Sequence, residues 1–136
     1  MRLKDFITIL LLVPGFVVVS AQEQGVTIKI NDIEKVTSVV KNATTSSSTD
    51  SGDFSVYQSG TLQMKKFSDY YMILVRHDLT PSDPNVYISV ELVDRNDQSV
   101  IYEMAKYMRV SGTTDQGPFS IKVKDINAIE VVHKLY

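Results

Sequence analysis

An all-β, antiparallel domain is the fold this sequence predicts: a β-sandwich of Ig-like or jelly-roll-like kind, or a small barrel, with one short N-terminal helix left open. Three observations predict it. Short segments in which apolar and polar residues alternate recur along the chain, the period-2 pattern of strands with one buried face. Clusters of Asp, Asn, Ser, Gly and Pro punctuate them, as turns require. No long segment keeps an unambiguous helical spacing. The 136 residues, 43% hydrophobic and 22% charged, suit one globular domain and argue against disorder, collagen and coiled coil.

The N-terminal segment 1–21 has the pattern of a signal peptide. Arg2 and Lys4 precede an apolar run at 7–19, then Val19-Ser20-Ala21 offers small residues for cleavage before the polar Gln22-Glu23-Gln24. The run is about 13 residues, against the roughly 20 needed to span a bilayer, and Pro14-Gly15 would break a membrane helix. A soluble, secreted product is expected, extracellular or, in a bacterium, periplasmic, with no membrane span after signal cleavage. The chain contains no cysteine, so lipoprotein anchoring, a disulfide scaffold, a zinc finger and a cysteine nucleophile are excluded. An exported domain without disulfides must be held by its core alone, which is feasible at this size.

Segment 22–40 is read as an N-terminal strand followed by a short helix or second strand. Val26-Thr27-Ile28-Lys29-Ile30 alternates, whereas Ile33, Val36, Val39 and Val40 fall near helical spacing behind Asp32, a potential N-cap. Segment 41–53 is rich in Ser and Thr and lacks any large apolar residue, so a flexible loop is expected there. It opens on Asn42-Ala43-Thr44, a glycosylation sequon if the chain passes through a eukaryotic secretory pathway.

The core is expected at 54–136. Phe54-Ser55-Val56-Tyr57 begins it, and Leu62 and Met64 continue in alternation. Tyr70-Tyr71-Met72-Ile73-Leu74-Val75 is continuously apolar, as in a central strand covered on both faces. Val86, Ile88, Val90 and Leu92 alternate with Tyr87, Ser89 and Glu91, and Asp94-Arg95-Asn96-Asp97-Gln98 connects this strand to the next. Segment 100–110 favours strand over helix, and 111–118 is read as a loop. Phe119, Ile121 and Val123, then Ile129, Val131, His133 and Leu135, complete the pattern.

Few chemistries fit. His77-Asp78 at a strand end is the one candidate for a small secreted hydrolase, yet there is no G-x-S-x-G elbow. With His133 the only other histidine and no H-E-x-x-H, a catalytic zinc site is disfavoured. The run from Asp94 fails the EF-hand pattern, with Ser99 and Ala105 where Gly and Glu belong. A calcium-dependent binding module would have to gather Asp78, Asp83, Asp94 and Asp97 between loops; no other cofactor is expected. Glu91 and Glu103 lie on strands expected to pair, but exposed glutamates are common on a solvated face. A net charge of −2, with Lys65-Lys66 and Lys122/Lys124 too few to make a basic patch, argues against nucleic acid. Seven tyrosines remain as the suggestive feature. Tyr71, Tyr87, Tyr102 and Tyr107, on expected strands, could form an aromatic platform for protein or carbohydrate. The function expected is therefore a non-catalytic surface: extracellular binding, adhesion or a structural place in a matrix.

Overall fold

The structure is a computed structural model that describes residues 25–48 and 50–133. The expected signal peptide at 1–21 lies outside the described residues, as do Leu135 and Tyr136. The described chain is all-β. One ten-stranded antiparallel sheet curls into a half-barrel. Its strands are β1 (Thr27–Asp32), β2 (Thr37–Thr45), β3 (Asp53–Gln58), β4 (Thr61–Lys66), β5 (Tyr70–Val75), β6 (Tyr87–Asp94), β7 (Ser99–Ala105), β8 (Arg109–Thr114), β9 (Gly117–Lys122) and β10 (Ile126–Val132). Across the sheet they run β4-β3-β7-β6-β5-β10-β1-β2-β8-β9. Short 3-10 turns at Phe67–Asp69 and Val123–Asp125 lead into β5 and β10. No helix among the described residues is long and apolar enough to cross a membrane.

Register explains the core. Ile30 faces Ile129, Ile129 faces Ile73, and Ile73 faces Leu92, a row of aliphatic pairs crossing β1, β10, β5 and β6. Such cross-strand pairs contribute roughly 0.2–1 kcal/mol each. Phe54, Val56, Phe67, Val110 and Val123 are buried in the same cluster, so the curl encloses one continuous apolar interior. The Phe54 and Phe67 rings stand 4.7 Å apart, and Tyr70 meets Phe54 edge-on at 6.1 Å. The run at 70–75 is central in the sheet as expected, but only Ile73 and Val75 are buried, and Tyr71 sits in the bulge between Tyr70 and Met72.

One open alternative is resolved, and two expected loops are partly strand. Of the short helix and the second strand left open after Asp32, the strand is found: Ile33, Val36 and Val39 are exposed and only Val40 is buried, so the helical spacing marks no core-facing stripe. Val40 instead pairs with Ile28 across a hairpin. Secondly, β2 runs on through Asn42, Ala43, Thr44 and Thr45, within the expected loop 41–53. Ala43 fills the core, Thr44 and Thr45 pair with Ser111 and Val110, and the bulge between Lys41 and Thr44 admits Asn42 at φ 56°. Side-chain bonds from Thr45 Oγ1 to the Asp53 carbonyl (2.9 Å) and from the Asp50 amide to Ser48 Oγ (3.0 Å) shape the remaining connection. Thirdly, the expected loop 111–118 is mostly the β8–β9 hairpin. Its threonines suit strands, and Pro118 is tolerated because β9 is an edge that needs no donor on its outer side.

Two hairpins share one turn design. Asp32 Oδ1 accepts the amides of Glu34 and Val36 at 2.9 and 3.0 Å; Asp94 Oδ1 accepts those of Asn96 and Gln98 at 2.9 and 3.0 Å. Each turn then places a non-glycine residue in the left-handed region, Lys35 at φ 66° and Asp97 at φ 67°. A lysine pays for that conformation through its Cβ. Lys35→Gly is therefore expected to stabilise the fold by about 0.5–1 kcal/mol. Thermal unfolding followed by circular dichroism checks this, and a lowered Tm would refute it.

Candidate functional site

The candidate site lies where the connection 76–86, between β5 and β6, folds over strands β6 and β7. Its ends and middle are pinned by polar groups. Arg76 donates to both Asp78 carboxylate oxygens, Nε to Oδ1 at 2.9 Å and Nη2 to Oδ2 at 2.8 Å, and through Nη1 to Glu91 Oε1 at 2.8 Å. Hydrogen bonding to Arg76 holds the Asp78 carboxyl below the usual carboxylate range, and the same bonds raise the guanidinium. Farther along, the Ser82 amide and hydroxyl both donate to the Glu103 carboxylate, at 2.6 and 2.7 Å. Lys106 Nζ donates to the Pro84 carbonyl at 2.7 Å.

Two open depressions result. One, ≈ 800 Å³, is lined by residues that include Tyr57, Leu79, Ser82, Ser89, Ile101 and Glu103. The other, ≈ 420 Å³, includes His77, Leu79, Pro81, Tyr87, Lys106 and Lys124. They meet at Leu79 and Thr80. Tyr57 lines the first and Tyr87 the second, with ring centroids 5.0 Å apart and planes tilted by 53°. Register puts both on one face: Tyr57 faces Glu103, Glu103 faces Ser89, and Tyr87 lies two positions away on β6.

The four tyrosines expected to share a platform do not meet. Tyr87 pairs with Tyr57 instead. Tyr102 faces Val90, on the side of the core, beneath Lys65 Nζ at 5.0 Å. Tyr70 belongs to that same corner, where burial pushes its phenol up while the Lys65 ammonium pulls the other way. Tyr107, expected on a strand, stands 55% exposed in the turn between β7 and β8. Tyr71 is exposed in its bulge, at the far end of the sheet strands from Tyr87. Tyr57 is the partner that the sequence-based set omitted. Its alternation with the buried Phe54 and Val56 is the signal that would have placed it on the opposite face.

The other candidates are likewise dispersed. His77 Nε2 lies 2.8 Å from the Ile126 carbonyl, and among the described residues that line its depression there is no serine or carboxylate. Asp78, turned to Arg76, is not positioned to orient that imidazole. His133 ties the end of β10 to β5, with Nε2 donating to the Tyr70 carbonyl (3.2 Å) and Nδ1 accepting from Arg95. Asp83 accepts the Asn85 amide at one end of β6, while Asp94 and Asp97 shape the turn at its other end, roughly 25 Å away along an eight-residue strand. Asp78, Asp83, Asp94 and Asp97 therefore do not converge, and no group of three or more potential metal-ligating residues occurs among the described residues. Glu91 and Glu103 are engaged by Arg76 and Ser82. Asn42 is exposed on its bulge. No protein family matches the sequence, and no curated protein or solved structure matches the chain.

Proposed function

We propose that the chain is an exported, non-catalytic β-domain that binds carbohydrate on the outer face of its sheet, in the two joined depressions beside Tyr57 and Tyr87. The paired rings carry this reading. Sugars present apolar C–H faces that pack on aromatic rings, and hydroxyls that need polar partners at the rim. Leu79 and Ile101 add apolar surface beside the rings, while Gln58, Ser82 and Ser89 supply donors and acceptors around the first depression. Export is supported by the leader pattern at 1–21, and the single buried cluster supports reading the curl as an open barrel rather than two stacked layers. A β-sheet frame whose loop is fixed by ion pairs suits binding because little ordering remains when the ligand arrives.

Calorimetric titration with neutral tetrasaccharides of glucose, N-acetylglucosamine and mannose tests the proposal. At least one is expected to bind, and Tyr57→Ala is expected to weaken it by about tenfold or more, the loss typical of a central aromatic contact. Binding unchanged in Tyr57→Ala and in Tyr87→Ala would overturn the assignment, as would no binding by the unaltered protein.

A further inference from the structure

We infer that the carbohydrate is anionic, and that its charged groups lie against a cationic patch formed by Lys106, Arg109 and Lys122 around the exposed ring of Tyr107. This deepens the carbohydrate reading and rests on it. In the sequence these cations are scattered, and Lys122/Lys124 alone make no patch; folding assembles one. The β7–β8 turn brings Lys106 Nζ to 5.3 Å from the Tyr107 ring centroid, and β9 brings Lys122 Nζ to 5.5 Å from the same ring. Arg109 faces Lys122 directly across β8 and β9. Arg109 Nε donates to Ser120 Oγ at 2.8 Å, which orients the guanidinium.

The charge balance points to the ligand. Like charges directly opposed on neighbouring strands destabilise a sheet. Among the described residues no carboxylate lies within ion-pair distance of Lys106, Arg109 or Lys122, although the chain as a whole is acidic. Lys124 differs, since Asp125 holds it at 3.1 Å. Lys106 also lines the depression that contains Tyr87, so the patch continues the proposed binding path. A chain of sugars could thus lie past Tyr57 and Tyr87 and place a carboxylate or sulfate between Lys106 and Lys122, with one ring on Tyr107. Carboxylate and sulfate share the chemistry of charge-assisted bonds to ammonium and guanidinium groups.

Binding is measured at low and high salt with a galacturonate tetrasaccharide, a heparin-derived tetrasaccharide, neutral cellotetraose and oligothymidine. The two anionic sugars are expected to bind more tightly than cellotetraose at low salt and to lose that advantage at high salt. The tighter of the two identifies carboxylate or sulfate as the preferred group. The double variant Arg109→Gln/Lys122→Gln, which touches neither depression, is expected to lose about tenfold in affinity for the anionic sugars and none for cellotetraose. Tyr107→Ala is expected to lower affinity severalfold, which charge alone would not produce. Lys122→Gln by itself, with an unchanged melting curve, provides the same readout should the double variant fold poorly. Equal affinity for anionic and neutral sugars, undiminished binding in the variants, or tighter binding of oligothymidine would overturn the inference. Anionic binding lost in Tyr57→Ala but indifferent to the patch variants would leave the tyrosine groove standing while the patch falls. Anionic binding lost in the patch variants but indifferent to Tyr57→Ala would instead sink the groove.

Discussion

Phe54→Ala is expected to destabilise the domain by about 3–5 kcal/mol, the range for removing a buried phenylalanine ring. Phe54 is fully buried, packs on Phe67 at 4.7 Å and on Tyr70 at 6.1 Å, and thereby ties β3 to the turn that launches β5. Removing the ring leaves a void that flanking strands cannot fill, because each is fixed in register by its ladder. With no disulfide in the chain, nothing covalent limits the consequence. Domains of this size are stable by only about 5–15 kcal/mol, so the variant should unfold at markedly lower denaturant concentration. Phe54→Leu keeps most of the volume and should cost much less. Urea unfolding measures both. A loss below about 1 kcal/mol in Phe54→Ala would mean that this corner of the interior is not packed as described.

Gly112→Val is expected to be almost as damaging, for the opposite reason. A Cβ at Gly112 would stand 2.5 Å from the Lys41 carbonyl oxygen and 2.5 Å from Val40 Cγ1. The first of these is backbone and cannot rotate away. Relief would require β8 to separate from β2 at the bulge that lets Asn42 turn and Thr44 resume pairing. A cost of about 3 kcal/mol, the upper part of the overpacking range, is expected. In a domain of roughly this length that lowers Tm by on the order of 10 °C. Amide exchange should rise first along β8 and β9, because β9 is attached to the sheet through β8 alone. An unchanged Tm would show that β2 and β8 do not approach so closely.

The contrast between β6 and β2 explains how far the sequence could be read. Val90 and Leu92 alternate with Ser89 and Glu91 because one face meets the core, and this apolar period makes β6 legible even though Ser89, on the other face, is buried too. In β2 the buried residues are Val40, Ala43 and Thr45, an irregular series because the Asn42 bulge resets the alternation. A stretch of Ser and Thr without large apolar residues then resembles a loop, although threonine is at home in a strand. The same limitation hid β8, where Ser111, Gly112 and Thr113 owe their strand conformation to pairing with neighbours far away in sequence.

The site was less legible than the fold, since it depends on which strands become neighbours. β3 adjoins β7 and not the strand that follows it after β4, and only that order carries Tyr57 to Tyr87. Alternation could assign Tyr57 a face but not a companion. Likewise, Lys106 and Lys122 belong to different hairpins, and only the β7–β8 turn and β9 bring them to the same ring. Asp78, Asp83, Asp94 and Asp97 illustrate the reverse case. The side chains of Asp78, Asp83 and Asp94 are used locally, in turns and in the Arg76 clasp, and Asp97 serves its turn through a left-handed backbone, so proximity in sequence suggested a site that the strand between them keeps apart.

The most direct measurement is a nitrogen–proton correlation NMR titration of the isotopically labelled protein with the tightest-binding tetrasaccharide. Progressive shifts should concentrate at the amides of Tyr57, Leu79, Tyr87 and Ile101, while those of the interior row Ile30, Ile129, Ile73 and Leu92 stay in place. Shifts confined to other surfaces, or a spectrum unmoved at saturating sugar, would contradict a binding role for this face.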